Sequence, residues 1–113
     1  MEQKKIVLTH FPFIDLSSTK RRPALVLSPT DASANDVIVA FISSVVPTAL
    51  ESTEYLLDNR HSDFRLSGLT RNSVIKTDKL AALDKAIFTG EIGELSDSTF
   101  QDIQSKLKIA LGL

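Results

Sequence analysis

Two short apolar runs, Ile6-Val-Leu-Thr and Ala24-Leu-Val-Leu, bracket a polar stretch that carries Lys20, Arg21 and Arg22 and closes at Pro23. The runs read as strands, and the polar stretch as the loop joining them. Proline biases the residue before it toward extended backbone, so Arg22 leaves the loop in a defined direction. The segment Lys5–Pro29 therefore holds a cationic cluster between two strands. A cluster fixed in that way can hold an anion instead of merely sitting in solvent.

The same punctuation continues along the chain. Residues 5–11, 24–28, 36–44, 53–58 and 73–77 read as strands, with a turn at Asp31–Asn35. The run Asp36-Val-Ile-Val-Ala-Phe-Ile-Ser-Ser is nearly continuous instead of alternating, which predicts burial on both faces. Asp58–Leu69 is polar and reads as a long surface loop; residues 79–88 fit either a short helix or a broken strand. The C-terminus is the clearest helix. Ser96 can cap it, Asp97 suits the positive end of its dipole, and Leu95 with Phe100 can form a hydrophobic staple. Phe100, Ile103, Leu107, Ala110 and Leu111 fall on one face, and Gly112 can end it. The expected fold is mainly β with minor α: a small, strongly twisted antiparallel sheet or barrel with one terminal helix, forming one domain over residues 1–113.

Composition narrows the function classes. A chain of 113 residues can bury a core without disulfides or metal staples, and the absence of cysteine removes disulfide frameworks and zinc–thiolate sites. No apolar run approaches the roughly 20 residues that span a bilayer, and the start Met-Glu-Gln-Lys-Lys lacks a signal-peptide pattern. An intracellular, cytoplasmic location is expected. Net charge is −1, from 13 Lys and Arg against 14 Asp and Glu, so there is no broad electrostatic footprint for duplex nucleic acid. Any nucleic-acid contact must come from a local patch, and residues 20–22 are the best candidate.

The four glycines make no dinucleotide or P-loop pattern, and neither G-x-S-x-G nor H-E-x-x-H occurs. His10 reads as a strand-end residue and His61 as a solvated loop residue. Arg22 stands apart because a guanidinium offers a planar fork of donors suited to a phosphate that gains charge during reaction. On spacing alone, a surface arginine in a salt bridge is the competing reading. In Val74-Ile-Lys-Thr-Asp78, a strand running through Asp78 would place Lys76 and Asp78 on one face with Cα atoms roughly 6.5–7 Å apart. That pair could manage proton traffic at a phosphodiester or be a structural ion pair. Ser43 and Ser44 offer hydroxyls at the end of the third strand.

These segments also resemble, in order, the PemK/MazF-like ribonuclease toxins of type II toxin–antitoxin systems. The resemblance is carried by IVLTHFPFIDL, SSTKRRPALVLS, DVIVAFISS, GLTRNSVIKTDKLAALDK and the ending IGELS…LGL. It implies an SH3-like or CcdB-like twisted antiparallel barrel with a C-terminal helix, assembled as a homodimer. It implies a sequence-specific, metal-independent endoribonuclease without a cofactor, cutting single-stranded mRNA by attack of the ribose 2′-hydroxyl to leave 2′,3′-cyclic phosphate and 5′-hydroxyl ends. Carried over by motif, Arg22 would stabilise the phosphorane, Asp78 would be the base and Lys76 a charge stabiliser. Ser43 and Ser44 would orient phosphate or ribose, and Lys20 and Arg21 would bind RNA. A cognate antitoxin with a disordered acidic tail is the implied partner, with DNA reached only through it and no membrane involved. Lysine stands at position 76 where the PemK/Kid branch of the family has arginine, keeping charge but losing the bidentate fork. A gyrase inhibitor of the CcdB type shares the expected fold, but it relies on a C-terminal tryptophan that this chain lacks. A catalytically weak binding barrel is the third reading.

Overall fold

The computed structural model describes residues 2–10, 20–29 and 35–113. Residue 11 of the first expected strand and residues 31–34 of the expected turn lie outside the described residues. Strands β1 (Lys5–Thr9), β2 (Arg22–Val26), β3 (Asp36–Ser43), β4 (Glu54–Leu57), β5 (Ser73–Asp84) and β6 (Gly90–Glu94) form one sheet in the order β4-β5-β3-β2-β1-β6. Every neighbouring pair is antiparallel, and the sheet curls into a half-barrel. A short helix α1 (Phe64–Ser67) precedes β5, and the long helix α2 (Asp97–Leu111) closes the chain.

The alternation of strand side chains sorts the core into two layers. Ile6, Leu25, Ile42 and Ile75 point to the face covered by α2, where Phe100 and Ile103 meet them. Val7, Ala24, Val26, Val39 and Phe41 form the other layer, flanked by Ala81, Leu83 and Phe88. Each fully buried aliphatic chain contributes about 1.5–3 kcal/mol. In β3 the expectation of two-sided burial holds for Val39–Ile42; nearer the strand's start Ile38, on the face of Ala40 and Ile42, is exposed.

Helix α2 matches its sequence signals. The Ser96 hydroxyl accepts from the Thr99 N–H, and Leu95 and Phe100 are both buried. At the far end Gly112 adopts φ 71° while Leu113 N–H reaches the Lys108 carbonyl at 2.9 Å, a left-handed stop that favours glycine.

Three expectations need correcting. The fifth strand runs on to Asp84, because residues 80–84 pair with the first half of β3 after a register shift. Strand β6 was not expected: Gly90-Glu-Ile-Gly-Glu has one apolar residue in five and weak strand character. Pairing with β1 holds it in the sheet. Residues 58–69 are no loose loop. A Cβ on Gly93 would stand 2.3 Å from the Ser67 carbonyl, and one on Gly68 1.9 Å from that of Ile92, so α1 and β6 touch backbone to backbone.

Candidate active site

Strand β2 begins at Arg22, opposite Thr9 of β1. Arg22 alternates with Ala24 and Val26 and so starts out on the face carrying the second core layer. It stands at the sheet end where β3 finishes at Ser43, and there the loops leave a pocket of about 270 Å³. Lys20, Arg21, Arg22 and Pro23 line it from the start of β2, Ile42 and Ser44 from the end of β3, and Leu69, Thr70, Arg71 and Ser73 from the approach to β5 on the other side of β3. Among the described residues, no acidic side chain lines it. Arg21, Arg22 and Arg71 make no ion pair among the described residues, so the salt-bridge reading of Arg22 finds no support there. Four cations around one pocket concentrate positive charge locally on a chain whose net charge is −1.

Ser43 and Ser44 separate in role. The Ser43 hydroxyl accepts from the Val45 N–H at 3.1 Å and shapes the turn out of β3, whereas Ser44 is exposed and lines the pocket. Lys76 and Asp78 do not line it. Lys76 lies opposite Phe41, on the same sheet face as Ala24 and hence as Arg22. Two strands across and two residues along put the two Cα atoms roughly 12 Å apart. Its carboxylate partner is Glu54, its cross-strand neighbour, at 3.4 Å. Glu54 is almost wholly buried, and its other oxygen accepts from the Glu51 N–H at 2.7 Å. Residues 77–79 fall in a register shift between the Phe41–Lys76 and Ala40–Leu80 pairs. Asp78 stands exposed on that bulge, while Thr77 turns inward and donates to the Thr53 carbonyl. Strand bulges of this kind re-aim side chains.

A second polar cluster lies under α2. The Asp63 carboxylate accepts from both the backbone N–H and the hydroxyl of Ser96, at 2.8 and 2.7 Å. Burial alone would raise its pKa, but these donors and the Thr99 hydroxyl, with His61 adding a smaller attraction, leave it below the ordinary carboxylate value. His61, expected to be solvated in its polar setting, is half-buried with both ring nitrogens partnered. Its Nδ1 accepts from the Asp63 N–H at 3.0 Å and its Nε2 lies 2.7 Å from the Tyr55 hydroxyl. Burial, with Asp102 nearby, pushes the Tyr55 phenol up. His10 is exposed just past β1, as a strand-end residue would be. Among the described residues, no cluster of three His, Asp or Glu is placed to hold a metal ion. No helix among them is long and apolar enough to cross a membrane.

A family model of the PemK-like, MazF-like toxins of type II toxin–antitoxin systems matches residues 2–111. The chain belongs to this family. Solved structures of similar fold include an endoribonuclease in complex with its cognate antitoxin from a mycobacterial species, 21% identical over 100% of this chain and 96% of that one, with a TM-score of 0.77. The Mycobacterium tuberculosis toxin MazF-mt6 is 23% identical, covering 96% of this chain and 97% of its own, at 0.73. A MazE–MazF crystal structure from Deinococcus radiodurans is 22% identical over 100% and 96%, at 0.74. No curated protein sequence matches the chain.

Within this PemK/MazF-like chain, the site residues read from sequence divide into two groups. Lys20, Arg21, Arg22 and Ser44 meet in the pocket, whereas Ser43, Lys76 and Asp78 are not among its described lining residues: Ser43 holds the turn after β3, and Lys76 and Asp78 lie along β5. Two neighbours were missed. Arg71 lines the pocket from the turn before β5, and only its position in the TRNS turn, just before Asn72-Ser73, hinted at this. Glu54 carried no signal at all, since only the register of β4 against β5 sets it beside Lys76.

Proposed function

We propose that the protein is a sequence-specific, metal-independent endoribonuclease toxin acting on single-stranded mRNA in the cytoplasm, neutralised by a cognate antitoxin. The observation that carries this reading is the meeting of Lys20, Arg21, Arg22 and Ser44 around one pocket, with no acid among its described lining, in a chain of a toxin family. In the proposed reaction the ribose 2′-oxygen forms a bond to the adjacent phosphorus as its proton passes to the Asp78 carboxylate. The bond from phosphorus to the 5′-oxygen breaks, and that oxygen leaves as a hydroxyl after taking a proton, with Arg22 as its donor in this scheme. The other end is a 2′,3′-cyclic phosphate. Arg22 stabilises the extra charge on the phosphorane, which is where a fixed guanidinium counts most. Ser43 and Ser44 orient phosphate or ribose, Lys20 and Arg21 hold the backbone, and Lys76 supplies positive charge on the Arg22 face.

A homodimer is the proposed assembly. The antitoxin's acidic, disordered tail would compete for the same cations and order on binding, with DNA reached only through the antitoxin. The test is cleavage of a long single-stranded RNA in EDTA by the purified protein and by Arg22→Ala. The variant is expected to lose about 10²–10³-fold in rate. Fragments made by the wild type should accept label from polynucleotide kinase without prior phosphatase treatment, as 5′-hydroxyl ends do. Equal cleavage by both proteins would point to a contaminating nuclease and remove the assignment. RNA binding by the wild type without turnover would leave a binding barrel.

A further inference from the structure

We propose that Arg71 is a phosphate-binding residue of the pocket, holding the RNA backbone next to the phosphate engaged by Arg22; this rests on the ribonuclease reading. The turn that carries Arg71 is anchored on both sides. The Ser73 hydroxyl, itself buried, donates to the Arg71 carbonyl at 2.8 Å, and the Asn72 side chain accepts from the Asn59 N–H at 2.9 Å. The guanidinium is thus delivered from a fixed backbone to the wall facing Arg22, and it is exposed, with no ion pair among the described residues. A fixed, uncompensated arginine facing a second one suits two neighbouring phosphates of one strand.

The lining also says what this wall reads. Among the described residues Pro23, Ile42 and Leu69 supply its apolar surface, and none of them is aromatic. On the Arg71 wall, Leu69, Thr70, Arg71 and Ser73 offer no ring for a base to stack on, so contact there comes from charge on the RNA backbone. At about 270 Å³ the pocket falls at the lower edge of the roughly 300–1,000 Å³ that encloses a small molecule, so a ribose–phosphate unit of a longer strand is the better fit. Arg71 therefore acts on affinity and not on base choice.

The experiment measures binding of short 2′-O-methyl RNAs of several sequences between about 50 and 200 mM salt. These strands lack a free 2′-hydroxyl, so catalytic competence does not enter the readout. One fewer phosphate contact in Arg71→Ala should lower the slope of log affinity against log salt by about 0.7. All sequences should weaken by a common factor. Arg71→Lys should keep the slope, and Arg65→Ala, an exposed arginine of α1 outside the pocket, should match the wild type. An unchanged slope in Arg71→Ala overturns the proposal, as does a loss confined to some sequences. If the wild type itself binds none of the strands, the RNA site falls first, and Arg71's role falls with it.

Discussion

Two polar regions of this chain look alike as sequence and do opposite things. Residues 58–69 and the basic residues 20–22 are both runs of hydrophilic side chains between apolar segments. In the first, polar groups are spent inside the molecule: Asp63 on Ser96, His61 on Tyr55 and the Asp63 N–H, and Ser67 on the Phe64 carbonyl and the Leu69 N–H. Asp63 and Ser67 are buried although they are polar. In the second, Arg21 and Arg22, joined by Arg71 from across the pocket, have no carboxylate beside them among the described residues. The contrast teaches that polarity does not separate scaffold from site, whereas the presence or absence of an internal partner does.

The contrast breaks most easily where the scaffold side has no slack. Gly93→Ala puts a Cβ within 2.3 Å of the Ser67 backbone, which cannot yield without moving α1. Urea unfolding should show a loss of roughly 3 kcal/mol, at the upper end for overpacking. A loss below about 0.5 kcal/mol, the range of ordinary surface changes, would mean that α1 is not docked as described.

Lys76 sits between the two categories, and a paired substitution sharpens its place. Lys76→Met leaves the buried Glu54 carboxylate without its cation; because Lys76 is partly exposed, the cost should be about 2 kcal/mol, less than for a fully buried pair. Adding Glu54→Gln should restore most of that stability. If RNA cleavage returns along with stability, Lys76 belongs to the scaffold; if the refolded double variant stays inactive, its charge serves the reaction.

The smallest expected effect is the acid dependence of Asp63. Its folded pKa lies below the ordinary 3.8, so the native state stabilises the ionised form. That contribution is fully present above the unfolded value and is lost as pH falls through the folded one. Asp63→Asn keeps an acceptor for Ser96 but loses the charge, and should cost about 1 kcal/mol at neutral pH. The gap between variant and wild type should close on acidification below pH 3.8. A gap independent of pH would show that the carboxylate's charge is not what Ser96 reads.

How much was legible in the sequence follows from which interactions are local. Ser96, Asp97, Phe100 and Gly112 declare α2 because capping and dipole effects act within a turn or two of chain. The short β-branched runs declare most strands, and Arg22 before Pro23 declares the start of β2. Strand β6 was illegible, since Gly90–Glu94 is a strand only by virtue of its partner β1 and the close approach of Ser67 to Gly93. The same holds for the pairing of Lys76. Neighbours two apart in sequence pointed to Asp78, but the bulge at 77–79 and the register with β4 turned the lysine to Glu54.

By itself, then, the sequence determined a mainly β chain with a capped terminal helix, a fixed arginine in a basic loop, and the toxin family to which it belongs. Tertiary structure alone decided that Arg71 faces that arginine, that Glu54 takes Lys76, and that the polar residues 58–69 are scaffold. The physical reason is range. Caps, turns and strand alternation are set by residues a few positions apart, whereas charge compensation is settled only when strand register brings distant side chains within a few ångströms.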